Sequence, residues 1–453
     1  MTYQNQLEHL VNRYPDSWDY YGIHRNNSVD NFFKNPTLFI ENTFMFASKK
    51  LLAPMANANS DWMRPQLSDA RAAHSISAFF LGALIAKNLF NGAFTHLFTD
   101  SKRESSYDFS YIWTLTCLYH DCGYTFENNN TLAQGLASDV CSALINANFE
   151  RLVSKAPCWL GMAKFRAAIR LQQSIWKSKR RFSYSRQRVE QSSAIQLCGE
   201  ESRAIFAIEE YYRKAPKRLF MINSDRPICF PIRKSNEISR YFAYRLLPFA
   251  ELEEKSSCID HGIAGGCLFF DRIIRNYAKA YVKAFRDNPN TDISDFENPN
   301  DYDMHVHFTF DQLPVFAYIA DCIINHNIWS AKVDTSYSEV YRKMGMSKLI
   351  GQEYEKINFF RNPLLFILAV SDSIEPYKVF STQQIDKVPY NKKQLKSLFN
   401  RTRLEVNNDR IVMKPPRKLI KKCKQRLEEM QEWIDVECCK NGDIFEIIPK
   451  RYG

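Results

Sequence analysis

The chain has 453 residues, enough for one large domain or for two or three of about 150 residues, and at 45% hydrophobic and 25% charged it reads as globular. Gly is rare, 14 residues, while 33 Phe, 23 Tyr and 7 Trp make the chain aromatic-rich, which excludes collagen-like, disordered and Gly-loop nucleotide-binding classes. Lys and Arg number 61 against 50 Asp and Glu, and the net charge of +11 mildly favours a polyanionic ligand such as a nucleotide or nucleic acid.

Met1 to Arg13 carries Glu8, His9 and Arg13 and has no apolar core of the signal-peptide kind. Residues 1–64 read as a helical or irregular segment. From Ser68 to Asn88 the positions Ala72, Ala73, Ile76, Phe79, Phe80, Ala83 and Leu84 recur at helical spacing behind the capping candidates Ser68 and Asp69. The longest apolar run, Ala78 to Ala86, falls short of the roughly 18 residues that cross a bilayer. No transmembrane helix and a cytoplasmic location are the expectation. Further helices are expected over Tyr107–Tyr119, Thr131–Phe149, His261–Arg286, Phe310–Asn325 and Pro363–Glu375, so that nearly everything before residue 380 reads as helical.

Two stretches differ. Between Phe165 and Arg188, eight Arg or Lys alternate with Trp176, Phe182 and Tyr184: either a track for phosphates and stacked bases, or a solvated helix with aromatic anchors, the reading favoured here. After Thr382, Arg403 to Lys414 alternates around Asn407-Asn408-Asp409 like a hairpin, Leu419 to Val436 reads as a charged helix, and Ile444 to Ile448 as a strand. Residues 380–453 are therefore expected to form a small α+β appendage on an all-α body. Twelve scattered Cys without a CxxC argue for reduced thiols and against zinc-finger spacing.

The chemistry lies in polar residues that interrupt apolar helices. His74 follows Ala72-Ala73, His120-Asp121 follows Cys117-Leu118-Tyr119, His261 precedes Gly262-Ile263-Ala264, His326 follows Ile323-Ile324-Asn325, and Asp372 lies in Ala369-Val370-Ser371-Asp372-Ser373. One His in an apolar helix is ordinarily a hydrogen-bonded core residue. Six such residues in the order H, HD, H, H, D resemble the HD superfamily of metal-dependent phosphohydrolases, and Leu118 to Tyr124 is similar to that family's signature helix end.

The resemblance covers roughly residues 65 to 380 and implies a helical bundle over 65–379; the 140 residues from Asp121 to His261 exceed what one or two connecting helices require, so a helical insertion is expected at about 130–258. It implies that His74, His120, Asp121 and Asp372 are the defining metal ligands, with His261 and His326 matching the extra pair of two-metal members. His305 and His307, in a more polar stretch expected to loop, compete with His326. The donor set suits one or two ions of Mn, Fe, Co, Ni or Zn rather than Mg or Ca. Two such ions can hold a phosphoryl oxygen and activate a water, with Asp121 bridging them.

The chain departs from the family at Tyr124, where cyclic-nucleotide-cleaving members carry the Lys of HDIGK, and Thr125-Phe126-Glu127 only loosely echoes the deoxynucleotide triphosphohydrolase signature. Tyr124 is a candidate substrate hydrogen-bond donor or a packing residue, and Glu127 a candidate proton acceptor or a cap. Asp260 and Glu375 either orient ligand imidazoles or cap helices. Arg71, one turn before His74, reaches a substrate phosphate or lies at the surface. The expected function is hydrolysis of a nucleotide or related phosphate ester. The alternatives are an HD-type di-iron oxygenase, a single-strand nuclease, or a non-catalytic metal-bound sensor or scaffold.

Overall fold

Polar caps and prolines punctuate the helices. In the computed structural model, which describes residues 2–6, 69–96, 109–124, 200, 204, 229–232, 241, 260–299, 305–309, 312–380 and 391–451, helix α1 spans Asp69–Asn88, α2 Phe109–Tyr119 and α3 His261–Asp287. A hairpin of β1 (Asp295–Pro299) and β2 (His305–Thr309) follows, then α4 (Gln312–Asn325), α5 (Ser336–Lys343), α6 (Pro363–Ile374) and α7 (Pro376–Phe380). Asp260 caps α3 by accepting the Ile263 N–H at 2.9 Å. Asn362 caps α6, where Pro363 fills the first turn and needs no N–H partner.

The core forms around α6. Its residues 363–372 are all buried, the mark of a helix surrounded by others. Helix α1 packs against α2, α6 and α7, while α3 lies along α4 and α2 touches both. Close approach at the α2–α3 contact depends on Gly123, because a Cβ there would meet the His261 carbonyl oxygen at 1.9 Å. One described helix, Ala70–Gly92, is long and apolar enough to cross a membrane, but 72% of its apolar window is buried inside the fold, so the core accounts for its apolarity.

The last segment adds α8 (Lys392–Arg401), β3 (Arg403–Val406), β4 (Ile411–Lys414), α9 (Ile420–Met430), β5 (Val436–Asn441) and β6 (Ile444–Pro449). Its antiparallel sheet runs β3-β4-β6-β5. Residues of one face, Leu404, Ile411, Met413, Phe445 and Ile447, are buried. The chain start is built into the same body: Thr2 pairs with Arg403, and the buried Tyr3 donates its hydroxyl to the Ser77 carbonyl of α1 at 2.9 Å.

The described residues are thus mostly helical with a small antiparallel sheet near the C-terminus. Three expectations need correction. The segment before residue 380 contains the β1–β2 hairpin, because Phe296 and Phe308 stack across it at 5.0 Å and both meet Tyr277 of α3. His305 and His307 therefore lie on a strand and not in a loop. The helix expected to reach Val436 stops at Met430, and Val436–Asn441 is a strand closed onto β6 by a turn with Gly442 at φ 61°. The expected helix Thr131–Phe149, Glu127 and the basic-aromatic stretch 165–188 lie outside the described residues.

Candidate metal centre

Five helices deliver one polar group or pair each to a single buried point. His74 comes from the middle of α1, His120 and Asp121 from the end of α2, His261 from the first position of α3, His326 from just beyond α4, and Asp372 from the last turn of α6. All six are buried. The sequence-expected ligands fall into two groups that share Asp121: His74, His120, Asp121 and Asp372, and Asp121, His261 and His326, each with its ligand atoms within 4.8 Å of one another. Such groups can hold a metal ion.

The chemistry of the donors fits that reading. Three imidazoles have Nδ1 facing an acceptor: His74 the Glu375 Oε2 at 2.9 Å, His120 the Cys117 carbonyl at 2.5 Å, and His326 the Ile323 carbonyl at 2.6 Å. A proton on Nδ1 leaves Nε2 as the donor atom at the centre. His120 Nε2 and Asp121 Oδ1 lie 3.2 Å apart, and both are buried with no hydrogen-bond partner. In the Nδ1–H tautomer a lone pair faces a carboxylate oxygen. Two buried acceptors in that position are costly unless a cation lies between them.

His261 is held differently. The Asn327 Nδ2 lies 3.4 Å from its Nδ1 and donates to Asp260 Oδ2 at 3.1 Å, while Asn327 Oδ1 accepts the Trp329 indole N–H at 3.0 Å. These bonds fix which end of the amide faces the ring. A donor at Nδ1 puts the proton on Nε2, which lies 3.3 Å from His326 Nε2 and bridges the two rings. Tyr124 stacks on the other side of His261, centroids 3.7 Å apart, and the Arg71 guanidinium sits 3.2 Å above the Tyr124 ring.

Positive charge already surrounds the carboxylates. Arg71 donates to Asp121 Oδ2 at 3.2 Å, and Lys378 Nζ reaches both oxygens of Asp372 at 2.6 Å. Burial opposes charge on His74, but its bonds to Asp372 and Glu375 prevail and lift its pKa to about 9. Burial likewise opposes the charge of Asp121 and Asp372. His120, Arg71 and His74 nevertheless hold Asp121 well below the usual carboxylate range, and Lys378 and the neighbouring imidazoles do the same for Asp372. His326 goes the other way, lowered to about 3 by burial and by His261 and His120. The nearby Cys122 thiol is pushed up to about 12 by burial and Asp121.

Glu375 and Asp260 each do both things expected of them as alternatives. Glu375 bonds His74 and also accepts the backbone N–H groups of Tyr377 and Lys378 at 2.8 Å, starting α7. Asp260 caps α3 with one oxygen and steadies Asn327 with the other. Arg71 is buried against Asp121 and is not a surface residue. Sequence reading missed Asn327 and Lys378. Asn327 had a signal, being the residue after a ligand candidate at a helix end.

No family model, no curated protein and no solved structure matches this chain.

Proposed function

We propose that the chain is a metal-dependent phosphohydrolase of the HD type, acting on a nucleotide or related phosphate ester. The observation that carries this reading is the pair of buried, partnerless acceptors His120 Nε2 and Asp121 Oδ1 inside a ring of further ligand atoms. His74, His120, Asp121 and Asp372 would hold one divalent transition ion, and Asp121, His261 and His326 a second. Ions bound there supply a Lewis acid and a water activated at neutral pH.

The chain's own residues do the rest. Glu375 and the Cys117 and Ile323 carbonyls aim three imidazoles, and Asp121 is shared by both ion sites. Arg71, oriented by the Tyr124 ring, presents a guanidinium beside Asp121, where an anionic substrate oxygen can replace its carboxylate partner. Tyr124 acts through the face of its ring, which orders Arg71 and His261 together. This supports an anionic substrate, in line with the net charge of +11.

The test is metal analysis of protein purified with and without air, combined with a screen of a generic phosphate ester, cyclic nucleotides, deoxynucleoside triphosphates and single-stranded DNA. Metal-dependent release of phosphate or nucleotide is expected. Two irons with oxygen uptake and no hydrolysis would replace this reading with a di-iron oxygenase, and metal without turnover would replace it with a sensor module.

A further inference from the structure

Arg71 is one cation beside the cluster, held against Asp121 and the Tyr124 ring. The fold brings a second one from outside the ligand set. Lys378 lies on α7, and its ammonium is shared between Oδ1 and Oδ2 of Asp372 at 2.6 Å. Oδ1 is also the oxygen that faces the cluster, 3.0 Å from His74 Nε2 and 3.6 Å from His120 Nε2. A carboxylate oxygen that serves a divalent ion cannot keep an ammonium at the same lone pairs, because the two cations would repel across a short, buried distance.

We propose that Lys378 is a phosphate-binding residue of this site: its ammonium, paired with Asp372, engages a phosphate oxygen of the substrate where Asp372 serves as a ligand. The proposal rests on the phosphohydrolase reading above. Three features favour it over a fixed ion pair. The Lys378 side chain is 30% exposed, whereas Asp372 is 8% exposed and the other ligands less, so the lysine stands at the solvent edge of the cluster. Its backbone is tied down, since its N–H bonds Glu375 Oε2 and Glu375 bonds His74. The move therefore needs only rotation of a flexible four-carbon stem, which suits a compact ammonium. Arg71 on Asp121 and Lys378 on Asp372 then flank the centre, one held by an aromatic ring and one free to swing.

The experiment compares wild type with Lys378→Met and Lys378→Arg, following Mn²⁺ affinity by titration and inorganic phosphate affinity of the Mn²⁺-loaded protein. Lys378→Met removes a competitor for Asp372, so Mn²⁺ should bind about 10-fold tighter, while phosphate should bind about 10-fold weaker for the loss of one charge-assisted bond. Lys378→Arg keeps the charge and should restore phosphate affinity to within about threefold of wild type, which also controls for folding. Weaker Mn²⁺ binding with unchanged phosphate affinity in Lys378→Met would mean a structural clamp and overturn the proposal. If wild type hydrolyses a phosphate ester but Lys378→Met binds phosphate as wild type does, the proposal alone fails. If Mn²⁺-loaded wild type neither binds phosphate nor releases it from any ester, the hydrolase reading fails and takes the proposal with it.

Discussion

Around Asp121 the cluster divides into a carboxylate half and an imidazole half. In the first, His74 and His120 face Asp121 and Asp372, and three cationic groups, His74, Arg71 and Lys378, balance Asp121, Asp372 and the Glu375 that backs His74. In the second, two rings share a hydrogen bond and Asp121 Oδ1 stands 3.9 Å from His261. The same residue types therefore behave in opposite ways. His74 among carboxylates takes a proton readily, and His326 among imidazoles refuses one. A divalent ion entering the first half must displace a proton and an ammonium, whereas in the second it meets His326 held neutral and the hydrogen bond that the two rings share.

Four experiments break or sharpen that contrast, beginning with the residue both halves use. Asp121→Asn should weaken metal binding in both halves by about 100-fold or more, beyond the effect of losing a group that only orients a ligand. Full metal content by elemental analysis would mean the cluster is not a metal site. It should also destabilise the metal-free protein by about 3 to 5 kcal/mol, since Arg71 and the protonated His74 lose a buried partner.

The pH dependence of metal-free stability comes next. His74 is raised from 6.5 to about 9, so its contribution is complete below pH 6.5 and disappears as pH rises through 9. His326 is lowered from 6.5 to about 3, so its contribution is complete above pH 6.5 and disappears as pH falls toward 3. Each limb carries roughly 3 to 5 kcal/mol over its full range. Melting temperatures of chelator-treated protein should therefore peak near pH 6.5. A His74→Gln variant should flatten the alkaline limb only, and an unchanged limb would contradict the assignment.

Two smaller effects separate the halves. Glu375→Gln should cost the carboxylate half about 10 to 100-fold in metal affinity through a less firmly oriented His74, and leave the other half alone. Gly123→Ala should do the reverse, because the new methyl group displaces the His261 backbone, and a shift of about half an ångström already exceeds what a metal site tolerates. Competition titration with a chelating indicator, resolving one tight and one weak site, reads both. Equal loss at the two sites in either variant would argue for a single ion.

The six ligand candidates were legible in the sequence because His and Asp break apolar helical runs, a pattern that needs a reason. The helix limits followed from caps and periodicity to within a few residues, as at Asp69–Asn88 and Gln312–Asn325. Lys378 was not legible. Six residues along one continuous helix place two side chains about 120° apart, so periodicity separates Lys378 from Asp372. The break at Glu375-Pro376 turns the lysine back onto the carboxylate. Strand β5 was missed for a different reason. Val436-Glu437-Cys438-Cys439 lacks the alternation of a half-buried strand, and only the Asn441-Gly442 turn announced it.

The bond from Trp329 to Asn327 would make the indole an optical reporter of an ion held by His261 and His326. The indole is half exposed, three positions past His326, and linked through one amide to the His261 ring. An ion with a partly filled d shell bound between His261 and His326 quenches emission from an indole at that range, and one with a full shell such as zinc does not. With seven tryptophans in the chain, the difference between wild-type and Trp329→Phe spectra isolates the signal of any ion that the imidazole half takes up.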